Sequence, residues 1–317
     1  MKVLITGATG FVGGALAQRL AAVDGRNIVN ASVRNFDKKF PKGINQILVG
    51  DLLPTTDWSN ALHDVEVIVH CAARVHVMKE NEKDPLESYR EVNVKGTLNL
   101  ARQAAQAGIR RFIFLSSIKV NGEETFNGQP FFADNAPAPI DPYGISKMEA
   151  ELGLSELSNL FDMELVIVRP PLVYGPGVKA NFASMMNWVS RGVPLPFALV
   201  RNARSMVCIE NLVDLLITCL HHPEAAGETF LVSDGEDIST SDLLLRIGRA
   251  MGKNTVLLPV PRSFLFWGAK LFGKGDVGKR ILSSLQVDIE KTRRILDWYP
   301  PFTLNQGLQK AVEGLKK

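Results

Sequence analysis

KVLITGATGFVGGAL, residues 2–16, runs from a short apolar strand through a glycine turn into a helix. Gly7, Gly10 and Gly13 stand at the spacing G-x-x-G-x-x-G, directly after Val3-Leu4-Ile5. A diphosphate is bound by backbone N–H groups at close range, and a side chain at these turn positions would hold it away. Gly13 also lets the first helix lie tightly against its strand. At the start of a βαβ pattern this arrangement reads as a dinucleotide cradle, with Thr9, Phe11 and Val12 completing it.

Working outward, apolar strands recur at Lys2–Thr6, Asn27–Val33, Gln46–Gly50, Glu66–His70, Arg111–Ser116 and Glu164–Arg169. Helical segments lie between them, the longest at Pro85–Ala107 and Tyr143–Leu160. This alternation predicts an α/β fold, a doubly wound parallel sheet of the Rossmann type. After Arg169 the residues Pro170, Pro171, Gly175, Pro176 and Gly177 break the pattern. Ile209–Leu220 and Thr229–Ser233 then return to the sheet domain. The expected division is 1–170 with 207–233 for the dinucleotide domain, and 171–206 with 234–317 for a smaller, mostly helical lobe that binds substrate. The two long helices carry apolar residues on more than one face, which suits either a homodimer formed through a helix bundle or a larger ordinary core.

The chain has 317 residues, 36 basic and 33 acidic, for a formal charge of +3. That balance offers no nucleic-acid surface. Cys71, Cys208 and Cys219 are widely spaced in apolar runs and read as buried thiols of a reducing compartment. No metal site is expected. The first strand begins at once, without a signal peptide. Leu257–Phe272 comes nearest to a membrane span, but two prolines, Arg262 and Lys270 interrupt it, so a core helix is expected. A cytoplasmic enzyme without membrane insertion follows.

Tyr143 and Lys147 in Tyr-Gly-Ile-Ser-Lys lie one helical turn apart. Upstream, the strand through Phe112 and Leu115 delivers Ser116 and Ser117 to its end. A tyrosine acts as acid or base near neutrality only if its pKa falls from about 10, and a fall of about three pH units corresponds to ~4 kcal/mol. An ammonium at about 4 Å supplies a similar amount at an effective dielectric of 20. Ser117, Tyr143 and Lys147 are the candidate catalytic group.

Together these residues resemble the extended short-chain dehydrogenase/reductases that act on nucleotide sugars, the NAD-dependent epimerase/dehydratase family. The likeness continues through Gly50-Asp51-Leu52, His70-Cys71-Ala72-Ala73, Asn93-Val94-Lys95-Gly96-Thr97, Arg169 to Gly177, and Asp288 to Lys291 with Leu296-Asp297-Trp298 and Pro301. It implies that Asp51 meets the adenine, that Leu52, Ala72, Ala73 and Pro170 line the dinucleotide, that Asn93 supports its site and that Lys147 holds the nicotinamide ribose. It also implies a UDP-linked sugar, with Asn181 and Phe182 near diphosphate and uracil, Arg204 and Arg280 on the diphosphate, and Ser117 and Lys119 beside the sugar. Arginine suits diphosphates through forked, charge-assisted hydrogen bonds.

Four readings compete. A 4,6-dehydratase of this family carries an Asp-Glu pair after the catalytic hydroxyl residue, where this chain has Ile118 and Lys119. A non-catalytic cofactor sensor would tend to have lost Ser117, Tyr143 or Lys147. The rivals left are a C4 epimerase that keeps NAD tightly bound and a 4-ketosugar reductase. An NAD site places a carboxylate at the end of the second strand; here the chain reads Ser32-Val33-Arg34-Asn35, with Lys38 and Lys39 following. Arg34 suits a 2′-phosphate, so NADP(H) is expected to be preferred, with NAD(H) possible. Asn121 replaces the tyrosine of the epimerase pattern. The segment is similar to bacterial reductases of UDP-4-keto-6-deoxy-N-acetylhexosamines, implying synthesis of UDP-N-acetylquinovosamine or UDP-N-acetylfucosamine for surface polysaccharide. A UDP-sugar 4-epimerase is the alternative.

Overall fold

The computed structural model describes residues 1–22, 27–37, 39–75, 84–126, 128–271 and 275–315. Lys38, Phe272 and Lys274 fall outside them. Seven parallel strands form the central sheet: β1 (Lys2–Thr6), β2 (Ile28–Val33), β3 (Ile44–Leu48), β4 (Val67–His70), β5 (Arg111–Leu115), β6 (Glu164–Arg169) and, later in the chain, β9 (Thr229–Leu231). Their order is β3-β2-β1-β4-β5-β6-β9. The direction of winding reverses between β1 and β4, which opens a crevice at their C-terminal ends.

Alternation along each strand explains why both faces are covered. Val3 and Ile5 of β1, Val67 and Val69 of β4, and Val166 and Val168 of β6 enter one core cluster. Leu4, Ile68, Leu165 and Ile167 enter the other. Successive side chains of a strand point to opposite faces, so strands apolar throughout need helices on both sides. Helices Phe11–Ala21 and Ile209–His221 cover the first face, and Thr97–Gln106 and Pro142–Phe161 the second.

Beyond β6 the chain forms β7 (Leu172–Tyr174) and β8 (Arg204–Cys208), which pair in parallel, and β10 (Asp237–Ile238), antiparallel to β8. A separate core gathers Tyr174, Met186, Val189, Met206, Leu244 and Leu308 around this small sheet.

Three expectations need correction. The third strand begins two residues earlier than the apolar run suggested, because Leu48 pairs with Val33 at the strand's end and Gly50 turns away at φ +85°. The helix expected at Pro85–Ala107 contains a wide π turn at Arg90–Gly96. The stretch read as a core helix forms the helix Arg262–Leu271, but its aromatic residues lie on the surface. Periodicity does not reveal which face of a ten-residue helix will find a neighbour.

Candidate active site

The glycine turn occupies the crevice. Gly7 has φ +66°, and a Cβ there would stand 2.7 Å from the Ala72 nitrogen. A Cβ on Gly13 would stand 2.5 Å from the Gly7 carbonyl oxygen. Only glycine closes the turn this tightly between β1 and the loop after β4. Gly10 caps the first helix without a side-chain bond, so the first-turn amides and the helix dipole face the crevice. Thr9 is exposed beside it, and Phe11 and Val12 are half-buried at the helix start. These residues fit a dinucleotide diphosphate.

The floor of this cradle is a buried polar chain. His70 Nδ1 lies 2.7 Å from Thr6 Oγ1, and its Nε2 lies 2.9 Å from Thr97 Oγ1. Burial pushes the imidazole down to about 3, so His70 is neutral. The Ala72 amide donates to Thr6 Oγ1 at 3.1 Å. Asn93, on the π turn, accepts from the Arg74 amide at 2.7 Å and donates to the Arg74 carbonyl at 3.0 Å. It also donates to Ser146 Oγ at 3.0 Å. Asn93 thus ties the Ala72–Ala73 loop to the helix that carries Tyr143 and Lys147. A π turn at a functional site commonly re-aims one side chain in this way.

At the ribose end the structure departs from expectation. Arg34, after β2, has its Nη1 3.6 Å from Asp51 Oδ1, and both side chains are exposed. The second strand lacks a terminal carboxylate, but the loop after the third supplies one. Leu52 lies beneath, its carbonyl 2.7 Å from where a Cβ on Gly96 would stand.

Tyr143 and Lys147 sit in the first turns of the helix Pro142–Phe161, capped by Asp141, which accepts from the Gly144 amide at 2.7 Å. Ser117 follows β5, with its hydroxyl near the Tyr143 phenol. Burial, then Asp141 and Tyr89, push the phenol above its ordinary range, and the Ser117 hydroxyl acts against them. Lys147 does not lower it here. Its Nζ donates to the Leu115 carbonyl at 2.8 Å and lies 4.1 Å from the centre of the Phe114 ring. Burial lowers Lys147 to about 8, opposed by Glu151.

Glu151 and Arg169 are site neighbours that the sequence reading passed over. Arg169 donates to both Glu151 oxygens, at 3.0 and 2.5 Å, and to Asn121 Oδ1 at 3.0 Å. Ser116 Oγ donates to Glu151 at 2.5 Å. Residues 143, 147 and 151 recur at i, i+4 and i+8, a spacing that could have flagged Glu151 as facing the same way. Asn121, buried, also donates to the Phe132 carbonyl at 2.9 Å. Its place in this network gives it a packing role independent of any substrate. Pro170 is buried too, its carbonyl accepting from the Ile118 amide at 3.0 Å.

The candidate substrate residues separate. Asn181 is half-buried at the start of the helix Ala180–Ser190. Phe182 is 1% exposed and stacks on Tyr174 at 5.1 Å, so it belongs to the core of the small lobe and has little surface to offer a ligand. Lys119 is held by Asp141 and by Glu123 at 3.6 Å, which neutralises its charge within the protein. Arg204 Nη1 donates to the carbonyls of Arg280 and Ser283 at 2.6 and 3.1 Å. Burial and the nearby Arg280 guanidinium lower Arg204 to about 10. Two cations brought together in this way suit a multiply charged anion. A cavity of about 720 Å³ lies beside them in the small lobe, lined by Arg201, Asn202, Asp237 and Asp242, and none of the catalytic candidates reaches it.

With this geometry in place, comparison with known proteins is informative. The chain is 49% identical over 313 residues to a UDP-glucose 4-epimerase of Vibrio cholerae, covering 98% of this chain and 94% of that protein. It is 27% identical over 330 residues to N-acetyl-alpha-D-glucosaminyl-diphospho-ditrans,octacis-undecaprenol 4-epimerase of Escherichia coli O157:H7, with 98% and 94% covered. Its fold superposes on UDP-glucuronic acid 4-epimerase from Bacillus cereus in complex with NAD at a TM-score of 0.80 and 22% identity, covering 100% and 99% of the two chains. Residues 3–233 match the NAD dependent epimerase/dehydratase family. The chain belongs to that family.

Proposed function

We propose that this protein interconverts the C4 epimers of a UDP-linked hexose, either glucose and galactose or the N-acetylated pair. The observation that carries the reading is the 49% identity to an epimerase along nearly the whole of both chains. The site chemistry agrees with it. Bound nicotinamide dinucleotide supplies a hydride acceptor and donor. The chain's own part is to hold the C4 oxygen and move its proton. Tyr143 takes that proton and returns it, Ser117 hydrogen-bonds the same oxygen, and Lys147 would hold the nicotinamide ribose. Arg204 and Arg280 hold the diphosphate. The exposed Leu152 and Leu160 of the catalytic helix support pairing of two copies through that face.

A second reading is NAD(P)H-dependent reduction of a UDP-4-keto-6-deoxy-N-acetylhexosamine. Arg34 at the end of β2 favours it. Asn121, which also pointed there, loses its weight because its bonds to Arg169 and Phe132 account for it.

The test incubates the purified protein with UDP-glucose, and separately with UDP-N-acetylglucosamine, without added cofactor, and follows C4 inversion by NMR. Inversion supports the epimerase. No inversion, together with NAD(P)H-dependent conversion of UDP-4-keto-6-deoxy-N-acetylglucosamine, establishes the reductase instead. The lipid-diphosphate sugar on which the E. coli relative acts is a third substrate to assay.

A further inference from the structure

The helix Arg262–Leu271 has no counterpart in the catalytic reading. Phe264 is 70% exposed, Trp267 67% and Leu271 84%. They stand at i, i+3 and i+7, a single stripe along one side of the helix. Val256 and Leu258, just before it, are exposed as well. Soluble proteins rarely leave aromatic and aliphatic side chains clustered in water without a use for them.

The charges say what covers this stripe. From Gly252 to Gly275 the sequence contains no Asp or Glu, while Lys253, Arg262, Lys270 and Lys274 are basic. Arg262 and Lys270 are exposed at the two ends of the helix, and Lys270 Nζ lies 5.7 Å from the Trp267 ring. A second copy docking through the same stripe would bring these cations together with no carboxylate in the segment to pair with them. An anionic bilayer offers the complement: headgroups for Arg262 and Lys270, and an interfacial zone that takes Trp and Phe rings. Among the described residues no helix is long and apolar enough to cross a membrane, so the contact is with the surface. The helix also packs on its neighbour Gly275–Leu282, whose Arg280 carbonyl accepts from Arg204. The stripe is thus linked structurally to the proposed diphosphate end of the site.

We infer that the helix Arg262–Leu271 seats this protein on the surface of an anionic phospholipid membrane, with Phe264, Trp267 and Leu271 as its apolar anchors.

The experiment is co-sedimentation of the full chain with vesicles of phosphatidylethanolamine and phosphatidylglycerol, and with vesicles of phosphatidylcholine alone. The parent protein should pellet with the anionic vesicles, less with the neutral ones and less in high salt. Phe264→Ser with Trp267→Ser should weaken partitioning by about tenfold or more. Lys270→Glu should weaken it by at least about fivefold. Both variants should keep the parent's thermal melting curve. Trp58 and Trp298 are buried and Trp188 is half-buried against Phe197, so a vesicle-induced blue shift of the emission should fall sharply in Trp267→Phe. The inference is overturned if the parent stays in the supernatant, if both variants pellet like the parent, or if light scattering finds a dimer in lipid-free buffer that the double substitution abolishes.

Discussion

The Lys147 ammonium donates to the Leu115 carbonyl at 2.8 Å, at the point where β5 ends and the strand hands over to Ser117. This bond fixes the lysine under the site while leaving two of its three donors for other partners. Burial holds its pKa near 8 and Glu151 resists the fall.

A pH profile follows. Below about 8 the buried amine is charged, and above it the charge is lost. Since kcat/KM reports the free enzyme's groups, it should decline on the alkaline side from near pH 8. Arginine stays charged, so Lys147→Arg should move that limb upward even if its maximal rate is lower. An unchanged limb would assign it to another group.

Tyr143→Phe removes the proton carrier but leaves the helix and the cradle intact. Turnover should fall by about 10² to 10⁴, the usual worth of general acid–base catalysis, with little change in dinucleotide affinity. Ser117→Ala should cost less, because it removes one hydrogen-bonding group beside the C4 oxygen and leaves the proton carrier in place. Near-normal turnover of Tyr143→Phe in a steady-state assay would remove Tyr143 from the mechanism.

Much of the site was legible because its signals are local. The spacing of Gly7 and Gly13, the pair Tyr143 and Lys147, and the apolar runs of β1, β4 and β6 each lie within a few residues. What escaped depends on contacts between distant parts of the chain. Asp51 meets Arg34 only because β3 lies beside β2. Glu151 meets Arg169 across the gap between a helix and a strand. Phe182 looked available until its ring was found against Tyr174. The surface helix was misread for a related reason: its composition suits a core, and only the packing shows that the core is elsewhere.

The buried pair itself carries a stability prediction. Arg169→Met would leave the Glu151 carboxylate facing Ser116 without its cation. Removing one partner of a buried ion pair typically costs about 3–5 kcal/mol. Urea denaturation should show a loss of that order, and Arg169→Met with Glu151→Leu should recover part of it. A single variant as stable as the parent would mean that the pair contributes nothing to stability.

Arg204→Ala should act on binding. A diphosphate contact is present in both ground and transition states, so KM should rise with kcat changed less. Inhibition by UDP should weaken in parallel. Undiminished UDP inhibition would place the diphosphate elsewhere.

Cofactor choice turns on the Arg34–Asp51 pair. An arginine alone at the ribose would attract a 2′-phosphate, with a hydrogen bond to it worth on the order of 1.5–3 kcal/mol. Asp51, whose Oδ1 lies 3.6 Å from Arg34 Nη1, partly neutralises that arginine and would repel the same phosphate. At this separation in water, unit charges interact by about 1 kcal/mol. The two effects oppose each other, so the parent should bind NAD(H) at least as well as NADP(H). Asp51→Asn should shift the affinity ratio toward NADP(H) by roughly fivefold, equivalent to that 1 kcal/mol. Arg34→Ala should shift it toward NAD(H). Fluorescence titration of the reduced cofactors measures both ratios. A strong NADPH preference in the parent, abolished by Arg34→Ala and untouched by Asp51→Asn, would show that Asp51 does not restrain Arg34 and would favour the reductase reading.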